Sequence, residues 1–195
     1  MSKRLIAMAY LLWLAATPAM AVPPSLEPGM LLVARAALPD PRFHDAVVLV
    51  VQHGSQGTAG LILNRPSRLT LTEVLPTLPV LAGADNKLSY GGPVAPRTFM
   101  VLVEAAGTPP QPAQRVLDSV YLTGTAQLSA WLDREPLGAV YRVFAGYVGW
   151  APEQLAGETA RGDWQVLPAD RQVLFMTDLG GLWNELAHRQ GLPVR

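Results

Sequence analysis

The chain contains no cysteine. Disulfides, thiolate nucleophiles and thiolate metal ligands are therefore excluded. Histidine occurs three times, at His44, His53 and His188, and none stands in an H-E-x-x-H or carboxylate-histidine spacing, so no metal site is expected. A phosphate loop is missing as well. Gly54, Gly57 and Gly60 are spaced three apart with no following lysine, whereas a Walker loop needs a lysine that reaches the phosphates. The dinucleotide fingerprint needs G-x-G-x-x-G between a strand and a helix, and these glycines fall between two strands. No G-x-S-x-G elbow is present. No cofactor is expected. Lysine is scarce: beyond Lys3, only Lys87 occurs.

Charge of either sign is sparse. The 195 residues carry 15 basic and 15 acidic side chains. Lys3 and Arg4 open a leader, MSKRLIAMAYLLWLAATPAMA, whose apolar run Leu5 to Ala16 is too short to span a bilayer comfortably. The small-x-small pattern Ala19-Met20-Ala21 completes the layout of a secretory signal peptide over residues 1–21. Removing it leaves 13 basic against 15 acidic residues, a formal charge of −2. That balance gives no global attraction to nucleic acid, which is not an expected partner. A leader of this kind places the mature chain in the periplasm or outside the cell, with no integral span. Residues 22–28 (VPPSLEP) read as a proline-rich lead-in, and 29–195 as one domain. Half the residues are apolar, and a chain of this length can bury roughly 70% of its unfolded surface.

The apolar pattern predicts strands at Met30–Ala34, Val47–Gln52, Ala59–Asn64, Leu88–Tyr90, Phe99–Val103, Ser119–Leu122, Val140–Trp150 and Trp164–Leu167. Val47–Gln52 (VVLVVQ) lacks alternation, as a strand covered on both faces does. HGSQGT, between the second and third strands, has the length of a hairpin connection, with Gly54 and Gly57 supplying angles that other residues resist. Asp40 in LPDPR closes an Asx-type turn. Helices are expected from Thr70 or Thr72 to Leu75 with stops at Pro76 and Pro79, near Thr125–Arg134, over Pro152–Ala160 with the proline first, and over Leu182–Gln190. Leu128, Trp131 and Leu132 share one face of the second of these. Val140–Trp150 bends at Gly146. Gly91-Gly92-Pro93 makes a tight turn. The order argues for an α+β fold with a mixed, partly antiparallel sheet.

Three constellations carry candidate chemistry. His53, Ser55 and Asp40 hold the atoms of a nucleophile, base and orienter, the basis of a hydrolase reading; as loop residues they would do none of this. The carboxylate pairs Asp133/Glu135 and Glu153/Glu158 read as solvated helix faces. Asn64-Arg65-Pro66 and Gly91-Gly92-Pro93 end two buried strands, with Arg97 close behind. Asn64, Arg65, Gly91, Gly92 and Arg97 could form a pocket for a small anion, since guanidinium binds carboxylate or phosphate bidentately. Equally, the two arginines could be ion-paired struts that pin loops.

Read together, LLVARAALPDPRFHDAVVLVVQHGSQGTAGLILNRP, YGGPV and VFAGYVGWAPEQLAGETARGDWQVLPAD resemble the YqgE/AlgH family of bacterial proteins. The residues in common are Asp40, Pro41, Phe43, His53, Gly60-Leu61, Asn64-Arg65-Pro66, Gly91-Gly92-Pro93, Gly146-Tyr147, Gly149-Trp150, Gln154-Leu155 and Trp164 ahead of Pro168. The resemblance implies a compact, barrel-like, largely antiparallel sheet flanked by helices. It implies no catalytic residues. One branch carries the label of a transcriptional regulator of alginate synthesis, so the resemblance implies a non-enzymatic binding or regulatory protein; the expected partner is an unknown protein or, from the arginine pocket above, a small anionic ligand. Two features depart from the family pattern. Relatives usually lack a leader and look cytoplasmic, and Ala34-Arg35-Ala36 stands where they commonly read alanine-methionine-proline.

Overall fold

The structure is a computed structural model that describes residues 25–35, 38–77, 87–134, 140–175, 179–189 and 191. The expected leader, the stop at Pro79, Glu135, Ala36 and Gln190 lie outside the described residues. Ten strands are present among the described residues: β1 Met30–Ala34, β2 Val47–Gly54, β3 Gly57–Ile62, β4 Pro66–Thr70, β5 Lys87–Tyr90, β6 Val94–Glu104, β7 Gln114–Leu117, β8 Val120–Thr123, β9 Val140–Trp150 and β10 Trp164–Pro168. Five helices accompany them: α1 Leu71–Val74, α2 Thr125–Leu132, α3 Gln154–Ala160, α4 Arg171–Leu174 and α5 Leu182–Arg189. A 3-10 turn covers Pro41–Phe43. The fold is α+β in one domain, as expected.

The main sheet runs β10-β1-β2-β3-β9-β6-β8-β7, with β4 beside β5 and β5 beside β9. Every pairing is antiparallel except β5 with β9. The sheet curls. Gln114 Nε2 donates to the Val51 carbonyl at 2.6 Å, and a Cβ on Gly29 would meet Leu117 at 2.7 Å, so β7 leans over the start of β1. Among the described residues no ladder joins β7 to β10, and the barrel-like curl stays open.

Alternation of side chains along each strand builds cores on both faces. The concave face collects Leu31, Val33, Val47, Leu49, Leu61, Leu102 and Phe144, closed over by Leu174, Leu182, Trp183 and Leu186 of α4 and α5. On the convex face, Leu32, Val48, Val50, Ile62, Val148, Trp150, Leu155 and Trp164 form one cluster, and Val101, Val103, Leu128, Trp131 and Val143 another. The unalternating run of β2 is thus buried on both sides, as its composition required.

One connection shapes the centre of the sheet. Phe144 pairs with Ser89 of β5 on one side and with Met100 of β6 on the other. The link Gly91-Gly92-Pro93 must therefore cross over β9, and it does so at Gly146, whose φ is +69°. A Cβ at Gly91 would lie 2.2 Å from the Gly146 carbonyl oxygen, and one at Gly92 2.3 Å from Tyr147 backbone. Only residues without a Cβ permit that approach.

Several expectations need correction. Gly57 does adopt a left-handed angle, φ +110°, but Gly54 does not, and the turn itself is Ser55-Gln56. Pro152 sits in the turn before α3, which begins at Gln154 behind a left-handed Glu153 (φ +64°). β6 starts at Val94, five residues before the expected strand. β4, β7 and α4 were not expected.

Candidate functional site

A cleft of roughly 380 Å³ opens on the convex face. Its wall on one side is the 3-10 turn and the residues before it, Leu38, Asp40, Arg42 and Phe43. Pro93, Val94, Val148, Gly149 and Trp150 supply the crossing link and the end of β9; Gln154, Glu158, Arg161, Asp163 and Trp164 supply α3 and the start of β10. Trp150 and Trp164 form the floor at 6% and 3% exposure. Their rings meet edge to face at 5.9 Å, and Phe43 stands edge-on to Trp164 at 5.9 Å. Gly60 lies beneath this floor: a Cβ there would press on Val48 at 2.6 Å and reach Trp150 at 3.5 Å.

Both indole N–H groups donate to one atom. Glu158 Oε2 accepts from Trp150 Nε1 at 2.9 Å and from Trp164 Nε1 at 2.8 Å. Gln154 Nε2 donates to Oε1 at 3.0 Å, while Gln154 Oε1 caps the Ala151 N–H. The half-buried carboxylate of Glu158 is thus held by three neutral donors, two from opposite strands and one from its own helix. Glu158 is not part of a solvated face, and it makes no pair with Glu153, which is exposed in the turn before α3.

The other charges of the cleft are matched locally. Asp40 accepts from the Arg42 backbone N–H at 3.0 Å, closing the expected Asx turn, and from the guanidinium, with Nη2 at 2.6 Å from Oδ2. Those bonds hold the Asp40 carboxyl below its ordinary value and push Arg42 up. Arg161 donates through Nε and Nη2 to Asp163 Oδ2 at 3.2 and 2.7 Å.

Asn64 and Arg65 brace this wall from behind. Asn64 is buried; its Oδ1 accepts from the Val47 N–H at 2.9 Å and its Nδ2 donates to the Asp45 carbonyl at 2.7 Å. Arg65 donates to the carbonyls of Asn64 and His44. These bonds fix the chain that leaves the 3-10 turn, where Asp45 takes φ +55°. Gly91 joins the same seam: its carbonyl accepts from Ile62 N–H, and Tyr90 N–H donates to the Arg65 carbonyl. Arg97 stands exposed in the bulged first half of β6 and does not line the cleft. Pro66 opens β4 opposite Ser89.

The His53, Ser55 and Asp40 set is divided. His53 Nδ1 shares a hydrogen with Thr58 Oγ1 at 2.7 Å. His53 and Ser55 border a separate hollow beside α3, whereas Asp40 lines the cleft and is occupied by Arg42. Among the described residues no group of three or more His, Cys, Asp or Glu could hold a metal ion, and no helix is long and apolar enough to cross a membrane.

The sequence pattern did not point to Arg161 or Asp163, and it set Glu158 aside as part of a solvated helix face. A signal for Glu158 existed: acid-bearing α3 lies between two strand tryptophans, Trp150 and Trp164, eight residues before and six after the glutamate.

The profile of the family described as AlgH-like matches residues 31–195. A protein of Anaeromyxobacter dehalogenans (strain 2CP-C) named UPF0301 protein is 35% identical over 179 residues, covering 87% of this chain and 90% of that one. A UPF0301 protein of Mycobacterium avium (strain 104) is 36% identical over 170 residues, covering 85% and 84%. Among solved structures, a crystal structure of a Corynebacterium diphtheriae protein superposes with TM-score 0.73 at 27% identity, covering 88% of this chain and 91% of that one. The solution structure of the AlgH protein from Pseudomonas aeruginosa gives 0.68 at 28% identity, covering 85% and 89%.

Proposed function

We propose that this chain, which belongs to the AlgH-like family, is a binding protein with no catalytic chemistry of its own, and that its ligand occupies the cleft floored by Trp150 and Trp164. One observation carries the reading. Asp40, Phe43, Pro93, Gly149, Trp150, Gln154 and Trp164, seven residues of the pattern that carries the family resemblance, come from four separate stretches of chain and line one cleft. Gly60, an eighth, makes room beneath it.

Binding fits the lining better than catalysis does. No serine, threonine or histidine borders the cleft among the described residues, so it lacks the usual hydroxyl nucleophiles and the usual general base. What it does have is an apolar floor and a few fixed polar groups, the composition of a ligand site. A regulatory role would follow from occupancy of this cleft altering the surface around it.

The indole N–H groups are built-in reporters. In 15N spectra of the labelled protein, a panel of small organic acids, amines and nucleosides is expected to include members that shift the Trp150 and Trp164 indole signals and leave Trp131 and Trp183 in place. Assignment follows from Trp150→Phe and Trp164→Phe. If panel members move only signals around His53 and Thr58, or move none, the cleft is not the site.

A further inference from the structure

We propose, resting on that reading, that the cleft takes an organic cation: a guanidinium or ammonium group on an apolar stem, paired with Glu158 against the aromatic floor. The charges on its lining decide the sign. Three carboxylates, Asp40, Glu158 and Asp163, face two guanidiniums, Arg42 and Arg161. Each arginine is engaged by the acid two residues before or after it. Among the described residues that line the cleft, Glu158 is left with the one negative charge that no cation offsets.

Its lone pairs point the same way. A carboxylate offers about four acceptor positions. Oε2 accepts from two indoles and Oε1 from Gln154 alone, so Oε1 keeps a free position. The three donors are neutral. They orient the carboxylate without cancelling its charge, which leaves it suited to a charge-assisted bond from a ligand.

The walls suit the rest of such a ligand. Phe43 presents aromatic surface above the nearly buried Trp150 and Trp164, and an aromatic ring attracts a cation held close to it. Leu38, Pro93 and Val148 offer apolar contact to a stem. An anion meets the opposite conditions. Glu158 repels it, the indole N–H donors are already used, and the charge of each arginine is already matched by its neighbouring acid. A cationic ligand replaces the anionic partner expected from Arg65 and Arg97, whose positions lie outside the cleft lining.

The test compares three probes of one shape, n-butylguanidinium, its neutral isostere n-butylurea and the anion pentanoate, each titrated into the labelled full chain. Butylguanidinium is expected to shift the Trp150 and Trp164 indole signals with half-saturation on the order of 1 mM, at least fivefold below butylurea, with pentanoate inert. Glu158→Gln is expected to erase the difference between butylguanidinium and butylurea. Equal binding of these two by the unaltered protein, or tighter binding of pentanoate, overturns the proposal. The three-probe comparison needs no variant, so misfolding of Glu158→Gln would not rescue the proposal. If other compounds shift the indoles while the cation does not, only this inference fails; if nothing shifts them, the site itself falls. Comparing agmatine with acetyl-Gly-Arg-Gly-amide separates the sources. Equal or tighter binding of the peptide assigns the cation to a partner's arginine side chain, and binding of agmatine alone assigns it to a free small molecule.

Discussion

Glu158 and Arg142, charged side chains set among apolar residues on opposite faces of the sheet, are treated differently. Glu158 lies at the convex face with three donors, a free acceptor position and an opening to solvent. Arg142 lies on the concave face, in register with Phe144, whose ring its guanidinium overlies at 4.8 Å. It donates to the Leu63 carbonyl at 2.7 Å, to Ser89 Oγ at 3.1 Å and to the Leu174 carbonyl at 3.0 Å. Burial pushes its pKa down to about 10, so it stays protonated at neutral pH. Arg142 ties the residue after β3 to β5, β9 and α4. The contrast separates a strut from a site: the enclosed charge commits its donors to two carbonyls and a serine hydroxyl, while the open one keeps capacity for something else.

The contrast can be tried on stability. Arg142→Met removes all three donors at once and leaves buried acceptors bare, at a cost of about 3 kcal/mol. In urea melts the midpoint should fall with the slope unchanged; a loss below about 1 kcal/mol would mean water reaches those carbonyls and the arginine is no strut. Glu158→Ala strands two indole N–H groups at the cleft floor and should cost about 2 kcal/mol, and Glu158→Gln, which retains an oxygen acceptor, about 1 kcal/mol. Equal losses would show that solvent replaces the carboxylate freely. Away from both charges, Thr70 and Glu73 form a capping box at α1, and Thr70→Ala should cost about 1 kcal/mol by the same melts. That loss calibrates an exposed hydrogen bond against those of Arg142 and Glu158.

Much of the sheet was legible because its strands announce themselves. β2 opens on a five-residue apolar run of which four are valine, β9 carries four aromatics in eleven residues, and Leu128, Trp131 and Leu132 mark the buried face of α2. β4 and β7 were not legible, since most of their residues are exposed and no apolar period marks them. Edge pairing, set by the path of the chain, makes them strands. The cleft was half legible. The family pattern supplied Phe43, Trp150 and Trp164, but Glu158 looks like any helix-surface acid until the strands on either side bring two indoles to it. Arg142 carried a clue that alternation offers. It shares a strand face with Phe144, so a charge there had to be either exposed with the phenyl ring or buried with it.

The crossing of Gly91 and Gly92 over β9 has a consequence for biosynthesis. β6 reaches β3 and β5 through β9, yet β9 is made after all three. Until Val140 onward has left the ribosome, the pairings available give three separate part-sheets, β1-β2-β3, β4-β5 and β6-β8-β7, the last two joined by a glycine link with nothing beneath it. The fold becomes one body when the late strand slides under that bridge.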